Sequence, residues 1–307
     1  MSTTAAHPAR AAASLKTVLT GILPPLAMPF SEDGALMPGA IAEQIDLMVD
    51  RGVRAVVVGG STGEGHTLDR EDFTAAATAA ARALAGRVPL VAGLIVNSTR
   101  EAIARARLLA GLDIVALQVT PVHYLFKPDA DATVAHFRAI AEATGLPILI
   151  YNVIPWNYLD VGLMLRIMRE VPGVIGMKQS AGDLRAVSDL VAGIAPQNLV
   201  LTGTDALLYP AFALGVDGAI SALTTAVPGV CVQLWQAVKA GDHKSALDLH
   251  RRLAALWDAM PHDILPACVK YAQHRQGLGL YPPRAPMSPL SADQKAAIDR
   301  ALAALPV

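Results

Sequence analysis

Charge of one sign is missing from this sequence. Its 25 Lys and Arg stand against 26 Asp and Glu, a formal net charge of −1 over 307 residues. Without clustered cations there is no footprint for a phosphate backbone and no basic face for an anionic bilayer, which argues against nucleic acid and membrane partners. Cysteine is scarce. Cys231 and Cys268 make neither a disulfide framework nor a zinc site, and they suit a reducing, cytoplasmic compartment. Long apolar runs are absent as well. The longest charge-free stretch, Gly218 to Val238, is broken by Ser221, Thr224, Thr225, Pro228, Gln233 and Gln236. It reads as strand, turn and helix rather than as a membrane span. The mean hydropathy of +0.41 owes much to alanine, which favours helices without demanding lipid. The opening MSTTAAHPARAAASL has no unbroken apolar core and is not a secretory signal, so residues 1–17 are expected to form a poorly ordered tail.

Several chemical signatures are also missing. His66, His123, His136 and His262 show no HExxH-type spacing, and His243 and His250 suit a surface helix face. No strand end clusters carboxylates for Mg²⁺, and no metal is expected. There is no G-x-S-x-G elbow, no GxxxxGK[ST] loop, and no GxGxxG after the first strand.

What is present is an alternation of two textures. Short apolar runs begin at Leu23 (to Phe30), Ala55 (to Gly60), Pro89 (to Ile95) and Ile114 (to Thr120). Others begin at Pro147 (to Val153), Val174 (to Ser180), Leu199 (to Thr204) and Gly218 (to Leu223). Ala-rich stretches with helical spacing lie between them, at 37–51, 70–85, 99–110, 131–143 and 161–170. Near-continuous apolar strands mean burial on both faces, the mark of a parallel sheet. Eight such units in the first 241 residues predict a (β/α)8 barrel over 18–241; a doubly wound open sheet is the alternative. Beyond it, residues 242–307 predict a helical domain, with helices at 242–257, 263–275 and 291–305 around the Pro-rich link Tyr281 to Pro289. That domain is too small for a large core of its own, so it packs on the barrel or on another subunit.

In a barrel the chemistry sits at the C-terminal strand ends. Lys178, one of seven lysines, is the one inside an apolar strand, where alternation places 174, 176, 178 and 180 on one face. Burial there disfavours the ammonium and favours the free amine that attacks a carbonyl, so Lys178 is the candidate Schiff-base nucleophile. The other reading is a lysine paired with a carboxylate, or one pointing outward. Tyr151 ends the neighbouring strand, where its phenol can move protons around an imine; alone it would read as a packing tyrosine. The loop Gly59-Gly60-Ser61-Thr62-Gly63-Glu64-Gly65 offers backbone N–H groups and two hydroxyls to an anion, either carboxylate or phosphate.

With these residues assembled, the chain resembles the dihydrodipicolinate synthase and N-acetylneuraminate lyase superfamily. The resemblance rests on GGSTGEGHTL, AGLIVNSTREAI, ILIYNV, GMKQSAGDL, TGTDALL and GVDGAIS, in that order. It implies a barrel with a C-terminal helical domain, usually a homotetramer built as a dimer of dimers. It implies Lys178 as the lysine that forms an imine with pyruvate or another 2-oxo acid, and Tyr151 as the proton relay. Ser61 and Thr62 would hold the acid's carboxylate, and Gly203 and Ile220 would line the pocket. No metal or organic cofactor is implied; the covalent imine on Lys178 does that work.

The departures concern the second substrate. The synthase pattern has an arginine shortly after the tyrosine motif; here the chain reads Tyr151-Asn152-Val153-Ile154-Pro155-Trp156-Asn157, with Trp156 or Asn157 in its place. Where the synthase carries a cross-subunit tyrosine, straight alignment gives His123, and Tyr124 takes the place only with a shifted register. The expected function is therefore a lysine-imine lyase or aldolase, or a related hydro-lyase. Its substrates would be a 2-oxo acid and a neutral or partly apolar aldehyde, with catalytic Lys178, Tyr151 and Thr62 and with His123 and Trp156 near the aldehyde. Alternatives are a true 4-hydroxy-tetrahydrodipicolinate synthase with an atypical aldehyde site, a non-catalytic 2-oxo acid-binding paralogue, and a phosphate-handling isomerase.

Overall fold

The computed structural model describes residues 14–307. Eight strands form one parallel sheet: β1 (Gly21–Ile22), β2 (Val56–Val58), β3 (Leu90–Leu94), β4 (Ile114–Val119), β5 (Ile148–Asn152), β6 (Val174–Gln179), β7 (Leu199–Thr202) and β8 (Gly218–Ala219). The strands run in the order β1-β8-β7-β6-β5-β4-β3-β2. Val57 closes the ring: its N–H donates to the Pro24 carbonyl and its own carbonyl accepts from Leu26 N–H. The expected (β/α)8 barrel is what forms. The first strand is shorter and earlier than the apolar run Leu23 to Phe30 suggests, because Pro24 and Pro25 have no N–H to give a ladder.

The helices follow in order: α1 (Ile41–Asp50), α2 (Arg70–Leu84), α3 (Thr99–Arg107), α4 (Ala130–Thr144), α5 (Val161–Glu170), α6 (Leu184–Gly193), α7 (Leu208–Ala213), α8 (Ala222–Ala226) and α9 (Pro228–Lys239). Side-chain caps at Asp69, Ser98, Asp129, Asp160 and Asp183 start α2 to α6, each accepting an N–H of the first turn. These caps fix where each βα loop ends, and so fix the rim of the barrel mouth. The charge-free stretch from Gly218 resolves into β8, α8 and α9. Among the described residues no helix is long and apolar enough to cross a membrane.

The strands are buried on both faces. Leu23, Val57, Val91, Ala116, Leu149, Leu201 and Ile220 belong to the cluster that fills the bore. Val56, Val58, Leu117, Val119, Met177 and Val200 pack outward under the helices. One irregularity corrects the simple alternation. Ile148 pairs with Val174, but Leu149 pairs with Gly176, so Ile175 is an extra residue on β6. Ile175 joins the bore cluster and Val174 packs outward, opposite to the face that strict alternation assigns it. Beyond the bulge Lys178 pairs with Tyr151 on one side and Leu201 on the other.

Of the expected tail, residues 1–13 lie outside the described residues. Residues 14–17 differ from that expectation: they belong to a helical turn over 14–18, with Leu15 and Val18 packed on the bore cluster. Lys16 Nζ bonds the Asn198 carbonyl at 2.7 Å and pairs with Asp217 at 3.0 Å. Past α9 come α10 (His243–Ala259), α11 (Leu265–His274) and α12 (Ala292–Leu302). Helix α11 packs on the barrel: Gln273 Nε2 donates to the Thr225 carbonyl at 3.1 Å, and Gln276 Nε2, just beyond it, to that of Ala226 at 2.5 Å. Cys231 and Cys268 are buried and unpaired.

Candidate active site

Lys178 is 4% exposed, at the mouth end of β6. Its Nζ lies 3.9 Å from the centroid of the Tyr151 ring. Among the described residues it makes no hydrogen bond or ion pair. The chain's other deeply buried lysine shows what a structural lysine looks like. Lys270 Nζ sits 2.6 Å from Glu64 Oε1, with side chains 3% and 0% exposed, and also donates to the Pro282 carbonyl at 2.9 Å. Burial pushes the Lys270 ammonium toward its neutral form, and Glu64 opposes that shift. Among the described residues Lys178 has no such partner.

Two neighbours shape the space around Lys178. A Cβ built on Gly203 would fall 2.6 Å from Lys178 Cε and 2.1 Å from Ser180 Oγ, so Gly203 is the clearance through which the lysine chain passes. Buried Asp205, just beyond β7, lies on the same side. Its carboxylate accepts from Leu223 N–H at 2.6 Å and Ala222 N–H at 3.3 Å, which anchors the first turn of α8. Burial raises the Asp205 pKa, while those bonds and the Lys178 charge pull the other way.

Tyr151 is 3% exposed, and its hydroxyl donates to Ser61 Oγ at 3.1 Å. This bond spans the mouth from β5 to the loop after β2, and it joins the candidate proton relay to the candidate anion loop. The loop makes a short 3₁₀ turn, Ser61–Gly63, after extended Gly60. Its own hydrogen bonds run from Gly63 and Glu64 N–H to the Gly60 and Ser61 carbonyls, which leaves the Ser61 and Thr62 N–H groups unused by the turn. A Cβ on Gly65 would lie 2.1 Å from the Gly59 carbonyl oxygen, so only glycine lets the loop fold back on itself there.

Glu64 ends that turn with φ 54°, a left-handed conformation unusual for a side-chain-bearing residue. It is held from outside the barrel. Besides Lys270, its Oε2 accepts the Arg284 N–H at 2.8 Å. The Arg284 guanidinium then grips the Gly34 carbonyl at 2.7 Å, the Thr67 carbonyl at 2.8 Å and Asp72 at 2.8 Å. This brace escaped the sequence reading. Its partners are 206 and 220 residues apart, and no local pattern joins them.

The remaining site residues are placed as follows. Ile220 is fully buried in the bore cluster. His123 lies half-buried on the β4–α4 loop, its Nδ1–H donating to the Pro121 carbonyl at 3.1 Å. Trp156 is exposed, and its indole N–H donates to the His123 carbonyl at 2.6 Å. Asn157, buried beside it, donates to the Val122 carbonyl at 2.5 Å. Together Trp156 and Asn157 stitch the β5–α5 loop to the β4–α4 loop and bring no positive charge. Tyr158 follows; burial, and then the neighbouring Tyr151, push its phenol up.

The chain matches the model of the dihydrodipicolinate synthetase family over residues 18–305. It is 36% identical over 290 residues to the 4-hydroxy-tetrahydrodipicolinate synthase of Sphingopyxis alaskensis, covering 93% of this chain and 98% of that one. The corresponding enzyme of Stenotrophomonas maltophilia is 34% identical over 283 residues, covering 92% and 94%. Among solved structures, YagE is a prophage protein of the dihydrodipicolinic acid synthase family from E. coli K12, solved in complex with pyruvate. It superposes with a TM-score of 0.87 at 27% identity, covering 92% of this chain and 97% of that one. The barrel, its C-terminal helices and this match over nearly the whole length agree: the chain belongs to the dihydrodipicolinate synthetase family, a family of lyases that work through a lysine imine.

Proposed function

We propose that this chain makes or breaks a carbon–carbon bond between a pyruvate-type 2-oxo acid and a neutral or partly apolar aldehyde, through an imine on Lys178. The observation that carries this reading is a buried, unpaired Lys178 Nζ lying 3.9 Å from the Tyr151 ring. The free amine attacks C2 of the 2-oxo acid, and loss of water gives the iminium. That iminium is the electron sink, so C3 gives up a proton, or an aldehyde, to leave an enamine. Tyr151 moves the protons; its hydroxyl, 3.1 Å from Ser61 Oγ, passes them toward the loop that carries Thr62. The Ser61 and Thr62 N–H groups hold the carboxylate. No metal or organic cofactor takes part. Gly203 and Ile220 bound the acid, and His123 and Trp156 stand on the loops at the aldehyde side. The working form is a homotetramer, supported by exposed Tyr124, Leu125 and Phe126 beside the mouth, an apolar patch that a second copy would cover.

The aldehyde preference rests on the β5–α5 loop. Where a carboxylate-bearing aldehyde would need a cation, Trp156 and Asn157 instead bond the carbonyls of His123 and Val122. A panel of aldehydes assayed with pyruvate checks this: neutral acceptors should be consumed faster than carboxylate-bearing ones, and the reverse order would overturn it. The names of the two relatives favour a second reading, 4-hydroxy-tetrahydrodipicolinate synthase itself. Complementation of a bacterial strain lacking that activity would establish the second reading at the expense of the first.

A further inference from the structure

One buried polar side chain in the bore is not used by this mechanism. Gln118 sits one residue before the mouth end of β4, where Leu117 and Val119 pack outward and Ala116 belongs to the bore cluster. Alternation therefore turns Gln118 inward. It is fully buried, yet neither its Nε2 nor its Oε1 finds a hydrogen-bond partner among the described residues. In register it lies between Gly93 on β3 and Leu149 on β5. The next inward residue on β5 is Tyr151, the strand partner of Lys178. Gly93 contributes no side chain; the backbone of Gly59 and Gly60 packs against it instead, with the Gly59 carbonyl oxygen 2.7 Å from where a Cβ would stand.

The position is informative. The Tyr151–Ser61 hydrogen bond runs from β5 to the loop after β2, so it passes over β3 and β4. The Gly93–Gln118 pair lies beneath it. Side chains in strands lean along the strand direction, which for β4 is toward the mouth. A core selected only for stability would carry valine, leucine or methionine here, because an unsatisfied buried amide is a cost with no return in the free protein. Such departures from good core practice collect at functional sites.

We propose that Gln118 is a substrate-binding residue: its carboxamide forms the floor of the pocket and donates an N–H to a carboxylate oxygen of the 2-oxo acid. The inference rests on the Lys178 imine reading and adds a second anchor to the Ser61–Thr62 loop. Gln118→Met, nearly isosteric and apolar, tests it with two readouts. Without ligand, its thermal midpoint should equal or exceed that of the parent, since the unsatisfied amide is gone. The pyruvate concentration that half-saturates borohydride trapping on Lys178 should rise about ten- to hundredfold, as for loss of a hydrogen bond to a charged group. If the parent itself traps no pyruvate, the imine reading fails. If the parent traps it and Gln118→Met half-saturates at the same concentration, the imine reading stands and the Gln118 proposal is overturned. Should the methionine variant fail to fold, Gln118→Asn, which withdraws the amide by one methylene, carries the same test with the same two outcomes.

Discussion

Substituting Gly203 by alanine adds one methyl group at the point where Lys178 passes toward the mouth. Gly203 does not have a left-handed φ, so the alanine backbone is unstrained and the effect belongs to the side chain. The new carbon would stand 2.6 Å from Lys178 Cε, where ordinary contact begins at 3.4 Å. The lysine must withdraw by about 1 Å, and a misplacement of that size costs on the order of a hundredfold in rate for a positioned group. The same carbon would stand 2.1 Å from Ser180 Oγ, which adds an overpacking cost of about 1–3 kcal/mol to stability. The two effects separate by a second substitution. Ser180→Ala removes the hydroxyl, whose oxygen is buried without a partner, and should leave the midpoint of thermal unfolding unchanged or slightly higher. In the double variant stability should return while the rate does not. The assay is the time course of borohydride-trapped pyruvate adduct on Lys178, with thermal unfolding measured on the same samples. Trapping by Gly203→Ala at the parental rate would refute the idea that glycine is there to clear a path for the lysine.

Two more outcomes follow from buried charges. Lys270→Met strands the Glu64 carboxylate, which is fully buried, and should cost about 3–5 kcal/mol in urea unfolding, with much of that recovered in Glu64→Gln/Lys270→Met. Because Glu64 ends the Ser61–Gly63 turn, the single variant should also weaken pyruvate binding; a loss below about 1 kcal/mol would show the brace to be dispensable. His136, 6% exposed, bonds Thr99 Oγ1 through Nδ1 at 2.9 Å, and burial lowers its pKa from 6.5 to about 4. The unfolded chain therefore takes up a proton that the native imidazole refuses. The stability is fully present above pH 6.5 and is lost progressively as pH falls toward 4, by about 3 kcal/mol in all. Urea unfolding of His136→Gln should show a shallower decline over that window, and a slope equal to the parent's would contradict the assignment.

Much of the barrel was legible because most strands fall in short apolar runs and α2 to α6 open on side-chain caps. The same regularity set Tyr151 beside Lys178, since consecutive strands of a parallel barrel are neighbours. What the sequence concealed is of two kinds. The bulge at Ile175 is a local accommodation with no residue-type signal, and it reversed Val174 while leaving Lys178 in place. The Glu64–Lys270 pair is a contact across 206 residues, and burial alone does not distinguish its lysine from Lys178. Only the partner does, and partners are a property of the fold. Nothing in the sequence singles out Gln118, because its inward face and its lack of a partner there are properties of the folded chain.

The most direct test of the whole account is reduction with borohydride in the presence of pyruvate, followed by peptide mass mapping of the folded protein. The expected result is one reduced pyruvate adduct per chain, carried by the peptide that contains Lys178 and absent from Lys178→Met. A folded protein that acquires no adduct, or acquires it on Lys270 or a surface lysine, would contradict the claim that Lys178 is the amine that does the chemistry.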